Sequence, residues 1–278
     1  MFEFAITTMP TWEILVLAGI GIIAGLLGGL LGIGGGIVMI PALAIVLGHD
    51  IHMAQAASMN VIFFVAAPAA LRHWRARTIR MELVKRMLPF AMVAVLVGVT
   101  VNIWIPNSDL SIIFGLFLLY VLYENVRRLL RDDRLATESV SKPHAETDSD
   151  FSLMRTGFVG SMAGFGAGLL GIGGGLITVP VTQIVCKCPL RECIACSSAV
   201  MCLTSIVGAV YKDATLSSVP GMPADVHWYT PLGISVWLIP TCLVGSWFGA
   251  RLTQVLPLKV VRTAFVAIVA VSAINMLT

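Results

Sequence analysis

The sequence predicts an all-α polytopic membrane protein built from two inverted repeats of about five helical segments each, with re-entrant or broken Gly-rich hairpins. Three observations predict it. First, 58% of the 278 residues are hydrophobic and only 12% are charged, whereas soluble domains hold roughly 45–50% and ~25%. The mean hydropathy is +0.92. A soluble fold of this length could not hide so much apolar surface, because the buried fraction rises only slowly with size. Disorder, nucleic-acid binding and secretion as a soluble enzyme are excluded on the same ground. Second, the apolar stretches have helical membrane length. Third, the chain contains an internal repeat.

The apolar runs fall near 12–31, 36–48, 54–71, 87–105, 110–126, 152–170, 175–186, 193–210, 229–250 and 259–277. Helices are the expected spanning element, since lipid offers an open backbone no partner. The N-terminal residues carry no basic region, so they do not read as a cleavable signal peptide. Residues 131–151 are charged and Ser/Thr-rich. They read as a cytoplasmic linker between a first repeat, 1–130, and a second, 152–278.

The repeat is direct to read. Residues 24–41, AGLLGGLLGIGGGIVMIP, align without gaps to 163–180, AGFGAGLLGIGGGLITVP, with 11 of 18 positions identical at an offset of 139. The same offset places Ser58 on Ser197. Duplicated membrane halves are a common origin of transporter folds.

The run from Trp12 to Gly48 must break. As one helix its 37 residues would reach about 55 Å, against a hydrocarbon core of about 30 Å. Gly32 to Gly36 is the natural break. Either this is one discontinuous helix or a hairpin whose short return leg leaves the glycine tip near mid-membrane. The second half repeats the choice at Gly171 to Gly175.

Charge placement bears on the choice. Arg72, Arg75, Arg77, Arg80, Lys85 and Arg86 crowd one short loop, which the positive-inside rule assigns to the cytoplasm. The matching loop of the second half, about 212–228, carries Lys212 alone. Conversely, the loop at Pro106 lacks basic residues, while its counterpart carries Arg251, Lys259 and Arg262. Hairpins give five segments per half and opposite orientations. All basic residues except Lys212, 17 of 18, then face the cytoplasm. The alternative is a parallel arrangement of eight spans.

The duplicated GxGGGxxxxP motifs, Gly32 to Pro41 and Gly171 to Pro180, resemble those of the TauE/SafE sulfite-exporter family. Gly245-Ser246-Trp247-Phe248-Gly249-Ala250-Arg251-Leu252 is similar to the late Gly-rich segment of that family. Where the family carries a Thr-Ser pair, this chain has Ala57-Ser58 and Cys196-Ser197-Ser198. The resemblance implies a permease of small anions, often sulfur oxyanions or organosulfonates, usually moved outward. It implies a bacterial inner membrane as the setting.

A helix starting at such a glycine tip points unpaired N–H groups and a positive dipole end at whatever lies before it. The missing Cβ lets a ligand approach the backbone. The expected substrate site is therefore Gly34, Gly35 and Gly36 with Gly173, Gly174 and Gly175, lined by Ser58, Asn60, Ser197 and Ser198. Thr178 and Gln183 are weaker candidates. The outer glycines, spaced as GxxxG, suit helix packing. A dinucleotide or P-loop reading fails, since Ile37 stands where a third Gly belongs and no Lys follows either cluster. No cofactor, metal or catalytic residue is implied, and the sequence leaves the oligomeric state open.

Cys186, Cys188, Cys193 and Cys196 read either as a sulfur-handling or metal cluster or as small packing residues. A membrane-embedded enzyme using those thiols is the alternative function, as is a structural protein in which every glycine serves packing. His49 and His52 are a further two-ligand pair. No Asp or Glu stands out at mid-membrane as a proton relay. Expulsion of one negative charge is favoured by ~2.3 kcal/mol per 100 mV when the inside is negative, so the expected driving force is the membrane potential.

Overall fold

The computed structural model describes residues 10–31, 34–130, 152–222, 226–252 and 258–277. Gly32, Ile33 and the 131–151 linker lie outside the described residues. The chain forms α1 (Thr11–Leu31), α2 (Gly36–Val46), α3 (Ile51–Arg75), α4 (Met81–Ile103) and α5 (Asn107–Leu130). The second half gives α6 (Leu153–Leu170), α7 (Gly175–Val185), α8 (Leu190–Thr215), α9 (Thr230–Leu252) and α10 (Leu258–Leu277). Among the described residues each half thus has five helices, and each apolar run of the sequence is one of them. The short α2 and α7 start and end at matching repeat positions.

Among the described residues six helices are long and apolar enough to cross a membrane. Their outward faces fit that solvent. Leu15, Val93 and Val210 are 73%, 65% and 69% exposed, an arrangement that water would penalise and lipid would not. Trp74 and Trp228 stand exposed at helix ends, as interface anchors do.

The halves pack reciprocally. The first helix of each lies on the fourth helix of the other: α1 on α9, and α6 on α4. Glycine ladders permit this. A Cβ on Gly25 would sit 2.8 Å from Cys242 Cα, and one on Gly29 would sit 2.9 Å from Ser246 Cα. Across the other pair, a Cβ on Gly164 would sit 2.9 Å from Ala91 Cα. Backbones this close need glycine, and the van der Waals contact so gained is the main attraction between helices in lipid. Gly25 and Gly164 are one repeat offset apart.

The third helices, α3 and α8, pack along each other at the centre. They run antiparallel. Gln55 meets Lys212, Asn60 meets Asp213, and Arg72 lines one cavity with Ile194. The fifth helices, α5 and α10, also pair, with Phe114 and Phe265 in the same buried cluster.

Candidate functional site

The glycine runs turn the chain back. Gly34 and Gly35 have φ of 80° and 78°, and Gly173 and Gly174 have 73° and 79°, a left-handed region that side chains disfavour. A Cβ on Gly35 would lie 2.6 Å from the Ala24 carbonyl oxygen, and one on Gly174 would lie 2.6 Å from that of Ala163. The returning chain therefore lies against the middle of the helix it has just left. Each return is a hairpin rather than one continuous broken span, and the described glycines match across the two: Gly34 with Gly173 and Gly35 with Gly174.

The two tips meet. A Cβ on Gly36 would lie 3.2 Å from Ile172 Cα of the other half. Positions on both Gly34 and Gly173 would touch Ile62 and Met201, which are themselves one offset apart. Gly35 and Gly174 are the N-caps of α2 and α7, and neither helix start has a side-chain cap. The tips thus bring two uncapped helix N-termini to the protein centre, with a partial positive charge at each.

Ser58 and Ser197 stand beside these tips. The Ser58 hydroxyl is fully buried, has no hydrogen-bond partner among the described residues, and lies 2.9 Å from where a Gly36 Cβ would be. Ser197 reaches the Gly175 carbonyl at 3.5 Å, a long and weak contact. Ser198 donates back to Ile194 O at 2.6 Å while lining the neighbouring cavity. Asn60 is placed elsewhere: its amide donates to Asp213 Oδ2 at 2.9 Å. Thr178 donates to Gly174 O at 2.8 Å and so serves the start of α7.

A cavity of about 250 Å³ leads to the site. Gly34, Ser198 and Met201 line its inner end, and Arg72 and His73 line it beside the basic loop. Ile62, Ala66 and Met201 form a small apolar cluster between the tips.

The largest correction concerns Lys212. Sequence reasoning ended the eighth apolar run at 210 and put Lys212 in an external loop. In the structure α8 continues to Thr215, and Lys212 is 2% exposed. Its ammonium donates to Gln55 Oε1 at 2.5 Å and Asn102 Oδ1 at 2.7 Å. Asn102 in turn donates to Gln55 Oε1 at 2.9 Å and to Leu169 O at 2.7 Å. His52 Nδ1 contacts Asn102 Oδ1 at 3.0 Å. Asp213 is also buried, so acidic groups do occur inside the helix bundle. The signal available was an adjacent Lys-Asp pair one turn beyond an apolar run, together with lone amides at Gln55 and Asn102.

The other polar candidates separate. His49 lies 3.4 Å from Glu13, and burial holds its imidazole below its usual range. His52 turns to Asn102 and Ile105, so the two histidines do not converge. The four cysteines are buried in an apolar cluster with Leu83 and Met87. None of the four forms a disulfide among the described residues, and Cys188 and Cys193 donate to the Cys186 and Cys188 carbonyls. Among the described residues no group of three or more His, Cys, Asp or Glu could hold a metal ion. The packing role fits these contacts.

Comparison with known proteins bears on the same geometry. The family profile described as Sulfite exporter TauE/SafE matches residues 17–276. The Probable membrane transporter protein MamO of Paramagnetospirillum magneticum is 28% identical over 96% of this chain. The chain spans only 45% of that relative's length. The Probable membrane transporter protein YunE of Bacillus subtilis is 24% identical, over 85% of this chain and 86% of its own. A Probable membrane transporter protein of Haemophilus influenzae is 26% identical, over 92% and 95%. No solved structure matches the chain. With the profile running through both glycine hairpins, the chain is a multi-pass membrane protein that belongs to the sulfite exporter TauE/SafE family.

Proposed function

We propose that the protein is a permease for small anions of the sulfur oxyanion or organosulfonate class, exporting them across the bacterial plasma membrane by alternating access between two inverted halves. The observation that carries this reading is the meeting of two uncapped helix N-termini at a buried, unpartnered Ser58 hydroxyl. An oxyanion has no donors of its own to waste on such a place, and backbone N–H groups with a hydroxyl donor supply what its oxygens need. The site comprises Gly34, Gly35, Gly36, Gly173, Gly174 and Gly175 with Ser58, Ser197 and Ser198. Asn60 acts behind it, by fixing Asp213.

The antiparallel course of α3 and α8 supports inversion of the halves. It agrees with the unequal placement of Lys and Arg, which puts the Arg72 mouth of the cavity on the cytoplasmic side. Substrate leaving the cell then meets a basic mouth, passes small residues, and reaches the tips. Ile62 and Met201 close the way beyond.

Reconstitution in proteoliposomes tests the reading. Sulfite, thiosulfate, sulfoacetate and taurine are offered under a set K⁺ diffusion potential, then under a pH gradient alone. Movement of at least one of the anions sulfite, thiosulfate and sulfoacetate that follows the potential is the expected result, with zwitterionic taurine as the uncharged comparison. Movement that needs the pH gradient and ignores the potential contradicts the driving force. No movement of any anion contradicts the function.

A further inference from the structure

We propose that Lys212 is a second anion-binding group on the half of the pathway that is closed here, held shut by the Gln55 and Asn102 amide oxygens until the substrate anion takes their place. This rests on the permease reading and extends it.

The repeat itself points to the position. The offset of 139 carries Arg72 and His73, at the mouth of the open cavity, onto Tyr211 and Lys212. It carries Ile194 and Ser198, on the opposite wall, onto Gln55 and Met59. The first set borders about 250 Å³ of open space. The second set is filled. Met59 and Gln55 are fully buried, and Met59 packs directly on Gly208. Lys212 is therefore the counterpart of the basic mouth, at a mouth that has closed.

Its ligands suit a temporary hold. Both are neutral amide oxygens, and Lys212 forms no ion pair among the described residues. Neutral dipoles compensate a buried ammonium only in part. An incoming anion gives it a full counter-charge, and the amides lose little, because Asn102 already donates to Gln55 Oε1 and His52 contacts Asn102 Oδ1. A carboxylate at either amide position would instead bind the lysine permanently. The neighbouring acid does not do so: Asp213 is held by Asn60.

The hold is also attached to the tip that must move. Gln55 packs under Gly171, where a Cβ would lie 2.6 Å from the Gln55 Cβ. Asn102 is bonded to Leu169 O, at the end of the helix that leads into the second glycine run. Displacement of the second tip breaks the ammonium's cradle, and refilling the cradle returns the tip.

The test measures KM for sulfite separately from each face, in right-side-out and inside-out vesicles carrying the full chain. For Lys212→Gln, KM on the outer face rises roughly tenfold, the size of one lost charge-assisted hydrogen bond, while KM on the Arg72 face stays at the wild-type value. Lys212→Arg restores most of the outer-face value. The unchanged inner-face KM also certifies that the variant is folded. An equal change on both faces, or none on either, overturns the role of Lys212 and leaves the permease reading intact. Wild-type vesicles that move none of sulfite, thiosulfate, sulfoacetate and taurine overturn both.

Discussion

Ile62 and Met201 occupy equivalent positions in the two repeats and pack together between the two glycine tips. They form an apolar seal at the point where the polar backbone of both hairpins converges. Both are almost fully buried, at 0% and 3% exposure. Trimming the seal is expected to loosen it. Met201→Ala should raise anion flux through reconstituted protein and lower stability by about 2–5 kcal/mol, the usual range for such truncations. Flux assays and thermal denaturation of the same preparation check both parts.

The glycines divide into classes that substitution separates. Gly25→Val places carbon against the Cys242 backbone, where even a Cβ would stand 2.8 Å from the Cα. Loss of folded protein on size-exclusion chromatography is expected. Gly19 lies in the same helix with nothing within 4 Å of its Cβ position. Gly19→Ala should leave folding intact and gain up to about 1 kcal/mol from helix propensity.

Within the tips, Gly36 and Gly175 are more informative than Gly35 and Gly174. The latter pair has positive φ and backbone contacts, so alanine there breaks the hairpin whatever the site does. Neither Gly36 nor Gly175 has such a constraint on φ, but a Gly36 Cβ would meet Ser58, Ile62 and the Ile172 backbone, whereas a Gly175 Cβ would press only on the flexible Met201 side chain. Gly175→Ala should yield folded protein whose anion affinity falls at least about tenfold, the scale of one hydrogen bond to a charged group. Isothermal titration with the preferred anion reads this directly.

The Lys212 network makes a prediction about stability alone. Lys212→Met replaces a buried charge with an apolar chain of similar length, and Gln55, Asn102 and His52 still contact one another. Neutral or raised stability is expected, as for other buried charges so replaced. Asn102→Ala leaves the ammonium short of an acceptor and should cost about 1–3 kcal/mol. Melting curves in one detergent compare the two; a larger loss for Lys212→Met would contradict this account.

Much of this architecture could be read from the sequence. Apolar runs report transfer into lipid, so the ten helices of the described residues were legible, as was the forced break before Gly36. The glycine ladders were legible too, because close approach of helices leaves a local trace in GxxxG spacing. The partners of buried polar groups leave none. Asn60 looked like a site residue because an amide on an apolar helix advertises itself, but its partner Asp213 lies 153 positions away. Hydropathy counts a charge as a boundary, and so places Lys212 in a loop. Gln55 and Asn102, from two other helices, are what allow it inside.

The central claim is that the converged tips bind an oxyanion, and ligand-dependent thermal stability in detergent tests it most directly. Sulfite, thiosulfate, sulfoacetate, taurine and simple carboxylates are compared on wild-type protein and on the Ser58→Ala, Ser197→Ala double variant. At a hundredfold excess over Kd a bound ligand adds about 2.7 kcal/mol, or a Tm rise of roughly 5 °C or more for a chain of this size. Such a rise is expected for at least one sulfur oxyanion or sulfonate on the wild type, and its loss in the double variant. An equal rise in both proteins, or none with any of these anions, would contradict it.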